Sequence, residues 1–315
     1  MVEQSRRDRV GLGLIGLGPS WDQHYREALV RLDRRLKIRL VYDPVQARAK
    51  SVATEFDATV AGSVRQLLLG QSLQGLLLLD PGSYAGGLLQ LLTQCDLPVF
   101  VAQPLLRHQP ALRDVLRATT ATSGHKSLTG NEQFMPELSW RFTPTTCRLR
   151  ELMATKLGPA KQIMIKCDLS ANSEELTKLI DWCLNIIGQE SPLAVHPTKE
   201  FGELQRLELH FPATSVADAG RSDATRTVLL QQRAAEADGV RIEIECARGR
   251  AVILNRTQIR WTTDLDAADE SLTNERTETE ILIDQFCRRA LGGLNPIGRM
   301  SEYVRAIDLL EAAAQ

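Results

Sequence analysis

The chain is short of aromatic residues, 5% of its 315, and has no excess of one charge: 38 Lys and Arg stand against 39 Asp and Glu, a formal net charge of −1. Near-neutrality excludes the strongly basic footprint that a phosphate backbone attracts, and no Lys/Arg run is interleaved with aromatics as a binding platform requires. Nucleic acid is not an expected partner. No apolar run is long enough to cross a bilayer. The opening Met1-Val-Glu-Gln-Ser-Arg-Arg-Asp-Arg9 is charged and runs straight into a strand, without the apolar centre of a signal peptide. No membrane partner and a cytoplasmic location are therefore expected.

The six cysteines, Cys95, Cys147, Cys167, Cys183, Cys246 and Cys287, show no paired spacing of the kind that holds a metal. Reduced, mostly buried thiols are expected. Histidine is scarce, five in all. His108, His125, His196 and His210 are spread over loops and strands and are read as isolated side chains rather than ligands, and His24, on the first helix, as a packing residue. No metal is expected. A Gly-x-Ser-x-Gly elbow is missing and no cysteine lies beside a sequence-near histidine, which removes the familiar nucleophile arrangements. Asn255-Arg-Thr257 would accept a glycan only in a secreted protein.

What the chain does have is length and 43% hydrophobic content, enough for two domains with separate cores. Val10-Gly-Leu-Gly-Leu-Ile-Gly-Leu-Gly-Pro-Ser-Trp-Asp-Gln-His24 reads as an apolar strand, a glycine turn and a helix, the opening of a dinucleotide-binding unit. In an intact fingerprint the first glycine makes the tight turn, the second lets the backbone approach a pyrophosphate, and the third permits close helix packing. Gly16 and Gly18 meet the first two demands; Trp21 stands where the third belongs. Ser20 is expected to cap the helix with Gln23 reaching back, which keeps backbone amides facing a phosphate. Trp21 heads an apolar stripe with Tyr25, Ala28, Leu29 and Leu32 at helical spacing. The indole is either a core residue filling space that a cofactor would share, or an aromatic wall touching the dinucleotide.

The first half continues as strands 36–42, 76–79 and 97–102 alternating with helices 45–56 and 84–93. Continuous apolar strands separated by helices imply a parallel sheet covered on both faces, a doubly wound dinucleotide-binding domain expected over residues 1–125. Asp43 closes the second strand at nearly the spacing where an acid accepts hydrogen bonds from an adenosine ribose, and it would repel a 2′-phosphate, favouring NAD over NADP. Asp43-Pro44 reads equally as a turn after a strand.

The character changes near Gly158. A strand over 161–168 and a helix over 174–187 ending at Gly188 lead into strands 207–211, 227–232, 240–246, 251–254 and 258–262. Strands without helices between them predict an open, mostly antiparallel sheet in an α+β domain over 126–315. Two helices, 278–291 and 300–314, close the chain, and these can pack back on the first domain. Residues 217–225, small and polar, form the expected flexible loop.

This order of elements, with several local strings, resembles the glucose-fructose oxidoreductase, inositol dehydrogenase and rhizopine-catabolism family, Gfo/Idh/MocA. The strings are the glycine turn followed by His24 and Ala28-Leu29, Tyr42-Asp43-Pro44, Asp80-Pro81-Gly82 for a Thr-Pro-Asn-like string, Gln103-Pro104-Leu105 for Glu-Lys-Pro-Leu, Arg141-Phe-Thr-Pro144 for Arg-Phe-x-Pro, and the helix end at 152–158. The resemblance implies an N-terminal Rossmann domain, a C-terminal sheet that forms a dimer or tetramer face, a nicotinamide cofactor bordered by Gly16, Gly18, Ser20, Trp21, Asp43, Pro81 and Gln103, and a sugar-like substrate. It also implies a catalytic lysine, aspartate and histidine, and these fall on Gln103, Glu174 and Lys178; a further histidine position falls on Ala85.

Gln103 can donate a hydrogen bond but cannot titrate. Oxidising an alcohol needs its hydroxyl proton removed as charge develops on oxygen, and losing that help costs about a hundredfold to ten-thousandfold. Glu174, Lys178, Asp181 and Asn185 share one helix face, opposite the apolar stripe Leu176, Leu179, Cys183 and Ile187. That face is either solvated and carries an ordinary Glu174–Lys178 pair, or it lines a cleft in which Lys178 serves as a relocated base or electrostatic stabiliser. Two functions follow: a binding, regulatory or assembly protein that keeps the fold and weak NAD binding, or an active NAD-dependent oxidoreductase of a sugar or cyclitol with a rebuilt site.

Overall fold

The structure is a computed structural model that describes residues 9–70, 72–80, 85–102, 133–167, 169, 173–188, 191–200, 203–212, 226–232, 240–293 and 298–314. Pro81, Gln103, His108, His125 and the expected loop 217–225 lie outside the described residues, as does the side chain of Glu174. The chain divides into two compact units, 1–137 with 276–304, and 138–275 with 305–315.

The first unit is a six-stranded parallel sheet in the order β3-β2-β1-β4-β5-β6. Its strands are β1 (Val10–Ile15), β2 (Leu36–Tyr42), β3 (Thr59–Val60), β4 (Gly75–Leu78), β5 (Val99–Val101) and β6 (Phe134–Pro136). Every residue of β1 and β4 is buried, as parallel strands covered on both faces require. Helices α1 (Arg26–Arg31), α2 (Gln46–Glu55), α3 (Val64–Leu68) and α4 (Ala85–Leu92) join consecutive strands. The order reverses between β1 and β4, which makes their carboxyl ends the switch point where such sheets take ligands. Later in the chain α7 (Glu278–Ala290) belongs to this unit, with Phe286 edge-on to Phe100 at 5.9 Å. The buried Glu280 and Asp284 of that helix are met by Arg31, Arg35, Arg276 and Arg288, which keeps two desolvated carboxylates paired.

The second unit is an eight-stranded sheet, β14-β13-β12-β11-β7-β10-β9-β8. It comprises β7 (Ala160–Cys167), β8 (Ala194–Glu200), β9 (Glu203–Phe211), β10 (Arg226–Gln232), β11 (Arg241–Cys246), β12 (Gly249–Ile253), β13 (Gln258–Thr263) and β14 (Ala267–Ser271). All neighbours are antiparallel except β7 and β10. Before it come α5 (Pro144–Leu152), and after β7 the helix α6 (Ser173–Ile187), which ends at Gly188 with φ +70°, the left-handed stop that glycine takes without strain. Residues 305–314 of α8 (Met300–Ala314) belong here, and its Ala306, Leu310 and Ala313 join the core formed by the inner sides of β7, β9–β13 and α6.

Three expectations are corrected. Ser20 has helical dihedrals, φ −64° and ψ −21°, and its side chain makes no cap hydrogen bond. Pro19 and Ser20 are already helical, and Trp21 N donates to Gly18 O at 2.9 Å, so the cap position falls two residues earlier. His24 is exposed rather than packed: the chain makes a π-helical turn over Trp21–Tyr25 that turns Trp21 and Tyr25 inward and the three residues between them outward. His196 and His210 are not isolated, since their rings meet edge-to-face at 5.3 Å across β8 and β9.

The four thiols Cys167, Cys183, Cys246 and Cys287 are buried, Cys95 is half-buried and Cys147 exposed, and none of the six is in a disulfide. Among the described residues no helix is long and apolar enough to cross a membrane, and no group of three or more His, Cys, Asp or Glu could hold a metal ion.

Candidate functional site

The turn after β1 is built by contacts that glycine alone permits. Gly16 sits at φ +79° and its amide donates to Tyr42 O at 2.9 Å, holding the end of β1 against the end of β2. Leu17 N then donates to Oδ2 of Asp43 at 2.7 Å, and Oδ1 of the same carboxylate accepts from Val45 N at 2.7 Å. Asp43 is only 6% exposed. It therefore staples the glycine turn to the loop after β2. Arg48, on α2, approaches the same turn with Nη1 3.5 Å from Leu17 O.

The space that the two glycines leave open is filled by one residue, Asp80, which follows β4. A Cβ on Gly16 would lie 1.7 Å from the Asp80 carbonyl oxygen, and a Cβ on Gly18 would lie 1.6 Å from Asp80 Oδ2. Both glycines are thus demanded by the chain's own packing. In a dinucleotide fold the second glycine is bare so that a pyrophosphate can come close; here that flank of the turn carries a carboxylate. The residues present do not fit a bound pyrophosphate. Asp80 was not among the expected site residues. The signal for it is the strand order, because β4 lies beside β1 and brings the residue after it against the turn after β1.

A third acid completes this edge of the sheet. Glu137, which follows β6, accepts from the Tyr25 hydroxyl at 2.7 Å, so Tyr25 closes the apolar stripe with a satisfied polar tip. The rest of that stripe is buried as expected, and Trp21, 4% exposed, packs edge-on to Phe56 with ring centroids 5.8 Å apart. The indole is a core side chain of the first unit.

In the second unit the helix carrying Glu174 and Lys178 forms as expected, with Leu176, Leu179, Cys183 and Ile187 buried. Its opposite side is not a solvated face. Asp181 is 1% exposed and is gripped by Arg141, Nε to Oδ2 at 2.8 Å and Nη2 to Oδ1 at 2.6 Å. Ile180, Trp182, Leu184 and Ile186 are buried too, so α6 is packed nearly all round. Lys178 is half-buried.

The string Arg141-Phe-Thr-Pro144 explains how α6 is seated. Arg141 supplies the buried ion pair, Thr143 caps α5 by accepting from Thr146 N at 3.2 Å, and Pro144 occupies the first helical position. Trp182 Nε1 donates to Thr146 Oγ1 at 2.8 Å, tying the two helices together. Trp140 Nε1 donates to Glu175 Oε1 at 2.6 Å.

No family profile and no curated protein matches the chain by sequence. Solved structures do match in fold. The dehydrogenase MviM of Clostridium difficile is 13% identical and superposes with a TM-score of 0.71, over 96% of this chain and 98% of that one. A Gfo/Idh/MocA family oxidoreductase of Vibrio cholerae is 13% identical with a TM-score of 0.71 and 97% coverage of each chain. The UDP-N-acetylglucosamine 3-dehydrogenase GnnA of Acidithiobacillus ferrooxidans is 14% identical with a TM-score of 0.68, covering 98% of this chain and 99% of that one. The chain has the fold of the Gfo/Idh/MocA oxidoreductases, a parallel nucleotide-fold sheet followed by a mostly antiparallel one.

Proposed function

We propose that this protein keeps the Gfo/Idh/MocA architecture without that family's hydride-transfer chemistry, and that it serves as a binding or regulatory protein for a small sugar-like ligand. The observation that carries this reading is the composition of α6. The helix SEELTKLIDWCLNII contains no histidine, and Glu174 and Lys178 stand one turn apart where the resemblance implies an aspartate and a histidine. The carboxylate that follows, Asp181, is committed to Arg141.

An alcohol gives up hydride only as its hydroxyl proton leaves, and a group with a pKa near the working pH is what removes it. Gln103 contributes no charge and no titrating atom at the position the resemblance gives to lysine. Loss of the base alone removes about a hundredfold to ten-thousandfold in rate, and loss of the cation adds to that. Should a dinucleotide be held at all, Asp43 disfavours a 2′-phosphate and favours NAD. Self-association through the outer side of the eight-stranded sheet goes with this reading; on that side the half-buried Met164 and Val252 are the apolar residues among polar ones.

The test is turnover. Purified protein is mixed with NAD or NADP and a panel of hexoses, cyclitols and UDP-sugars, and cofactor absorbance is followed. The expected result is no reduction above the uncatalysed background. Brisk reduction that disappears in Lys178→Ala would overturn the proposal and establish a rebuilt site centred on that lysine.

A further inference from the structure

We infer that Asp80 determines what the first unit's crevice accepts: its carboxylate closes the glycine turn to pyrophosphate, so the unaltered chain excludes dinucleotides and related phosphate esters from the place where this fold holds them. The inference rests on the first unit having a dinucleotide fold, and it is independent of whether turnover is lost.

The geometry leaves Asp80 little choice. β1 and β4 are hydrogen-bonded in register from Leu12↔Gly75 to Ile15↔Leu78, and Leu79 N continues the ladder to Ile15 O at 3.0 Å. The next residue is therefore delivered against the turn, with its carbonyl oxygen in the Gly16 notch and Oδ2 in the Gly18 notch. The notch at Gly18 is the one whose emptiness lets a phosphate approach in an intact fingerprint. Here it is taken by an anion belonging to the chain.

Chemistry reinforces the obstruction. An ionised carboxylate only accepts hydrogen bonds, and so do phosphate oxygens, so the two cannot satisfy each other. A dinucleotide pyrophosphate brings two negative charges to within contact distance of Asp80. Asp43 and Glu137 stand at the ends of β2 and β6 on the same edge. Asp80 and Glu137 are half-buried and Asp43 is buried, and like charges brought together at such a site are a standard means of rejecting the wrong ligand. A neutral polyhydroxyl ligand meets no such penalty, because its hydroxyls donate to carboxylates.

Two substitutions read the charge and the space separately. Asp80→Asn keeps the shape and turns an acceptor into a donor; Asp80→Thr also vacates the notch. NADH, NADPH and ADP-ribose are titrated by calorimetry into each protein. The unaltered chain is expected to show no saturable binding at millimolar ligand, and both variants are expected to bind at least about tenfold more tightly than that limit. Micromolar NADH binding by the unaltered chain, or no gain in either variant, would overturn the inference.

The contact itself has a test that needs no ligand. Gly18 does not have a positive φ, so Ala is acceptable there to the backbone, and the three nearest atoms that its Cβ would meet all belong to the Asp80 side chain. Gly18→Ala should lower the melting temperature in the native background and much less in Asp80→Ala. Equal losses in both backgrounds would show that the carboxylate is not where the inference needs it. Nucleotide binding with turnover in Asp80→Asn would sustain this inference while sinking the loss of chemistry proposed above; binding without turnover sustains both.

Discussion

Arg141 and Asp181 face each other through two parallel hydrogen bonds, with the arginine 7% exposed and the aspartate 1% exposed. Such a bidentate pair fixes direction as well as distance, and it orients the α6 turn that carries Lys178. Removing one partner strands a buried charge. Asp181→Ala or Arg141→Ala should each cost about 3–5 kcal/mol in urea unfolding, whereas Arg141→Met with Asp181→Leu should cost far less than the sum. Additive losses would mean that the pair is not coupled as its geometry requires.

Trp21 can be tested for the two roles its position allows. The indole is buried against Phe56, so Trp21→Ala should destabilise the first unit by about 3–5 kcal/mol. Trp21→Gly should cost more, because glycine also loosens the helix. With Asp80 intact, neither variant should gain NADH affinity by calorimetry. A gain in Trp21→Gly alone would show that the indole, not the carboxylate, bars the cofactor.

The parts of the fold that were legible in the sequence are those that bury a regular stripe. Strands such as 10–15 and 36–42 and helices such as α2, α6 and α7 announce themselves through apolar continuity or helical spacing, whereas the short α3 and the polar α5 do not. The strands that went unread are β3, β6, β8 and β14, and these are the four edge strands of the two sheets. An edge strand need not be apolar on either side: β8 is Ala-Val-His-Pro-Thr-Lys-Glu with proline inside it, and β14 is Ala-Ala-Asp-Glu-Ser. The candidate site divides in the same way. Gly16, Gly18 and Asp43 are visible because their spacing along the chain carries meaning. Asp80 and the Arg141–Asp181 pair depend on which elements become neighbours in space, 62 to 64 residues apart in one case and 40 in the other.

Thiol reactivity follows from burial. Desolvation raises Cys246 and Cys287 to about 12 and Cys183 well above its ordinary value, and it also raises Cys95. Thiolate is the reactive form. An aromatic disulfide reagent at pH 8 should therefore label Cys147 first, Cys95 more slowly, and the four buried thiols only after denaturation. Cys147→Ser should remove the fast phase. Rapid labelling of Cys183 in the native protein would contradict its packing in the α6 core.

Acid should weaken the second unit through Glu270. Its carboxylate receives Arg148 Nε at 2.7 Å, Arg148 Nη2 at 2.8 Å and Trp261 Nε1 at 2.6 Å, joining α5 to β13 and β14. The hydrogen bonds from Arg148 come first among the causes that hold Glu270 below the usual glutamate range, against the opposing effect of burial, with Trp261 adding to them. A carboxyl group whose folded value is depressed binds its proton less readily in the native state than in the unfolded chain. Its contribution is therefore complete above the unfolded value of about 4.3 and is lost as pH falls through the lower folded value. Glu270 is 21% exposed, so solvent moderates the effect. Chemical denaturation between pH 7 and pH 3 should show a steeper loss of stability for the native protein than for Glu270→Gln, with the two curves converging at the acid end. Parallel curves across that window would mean that the Arg148–Glu270–Trp261 contact contributes no proton-linked stability.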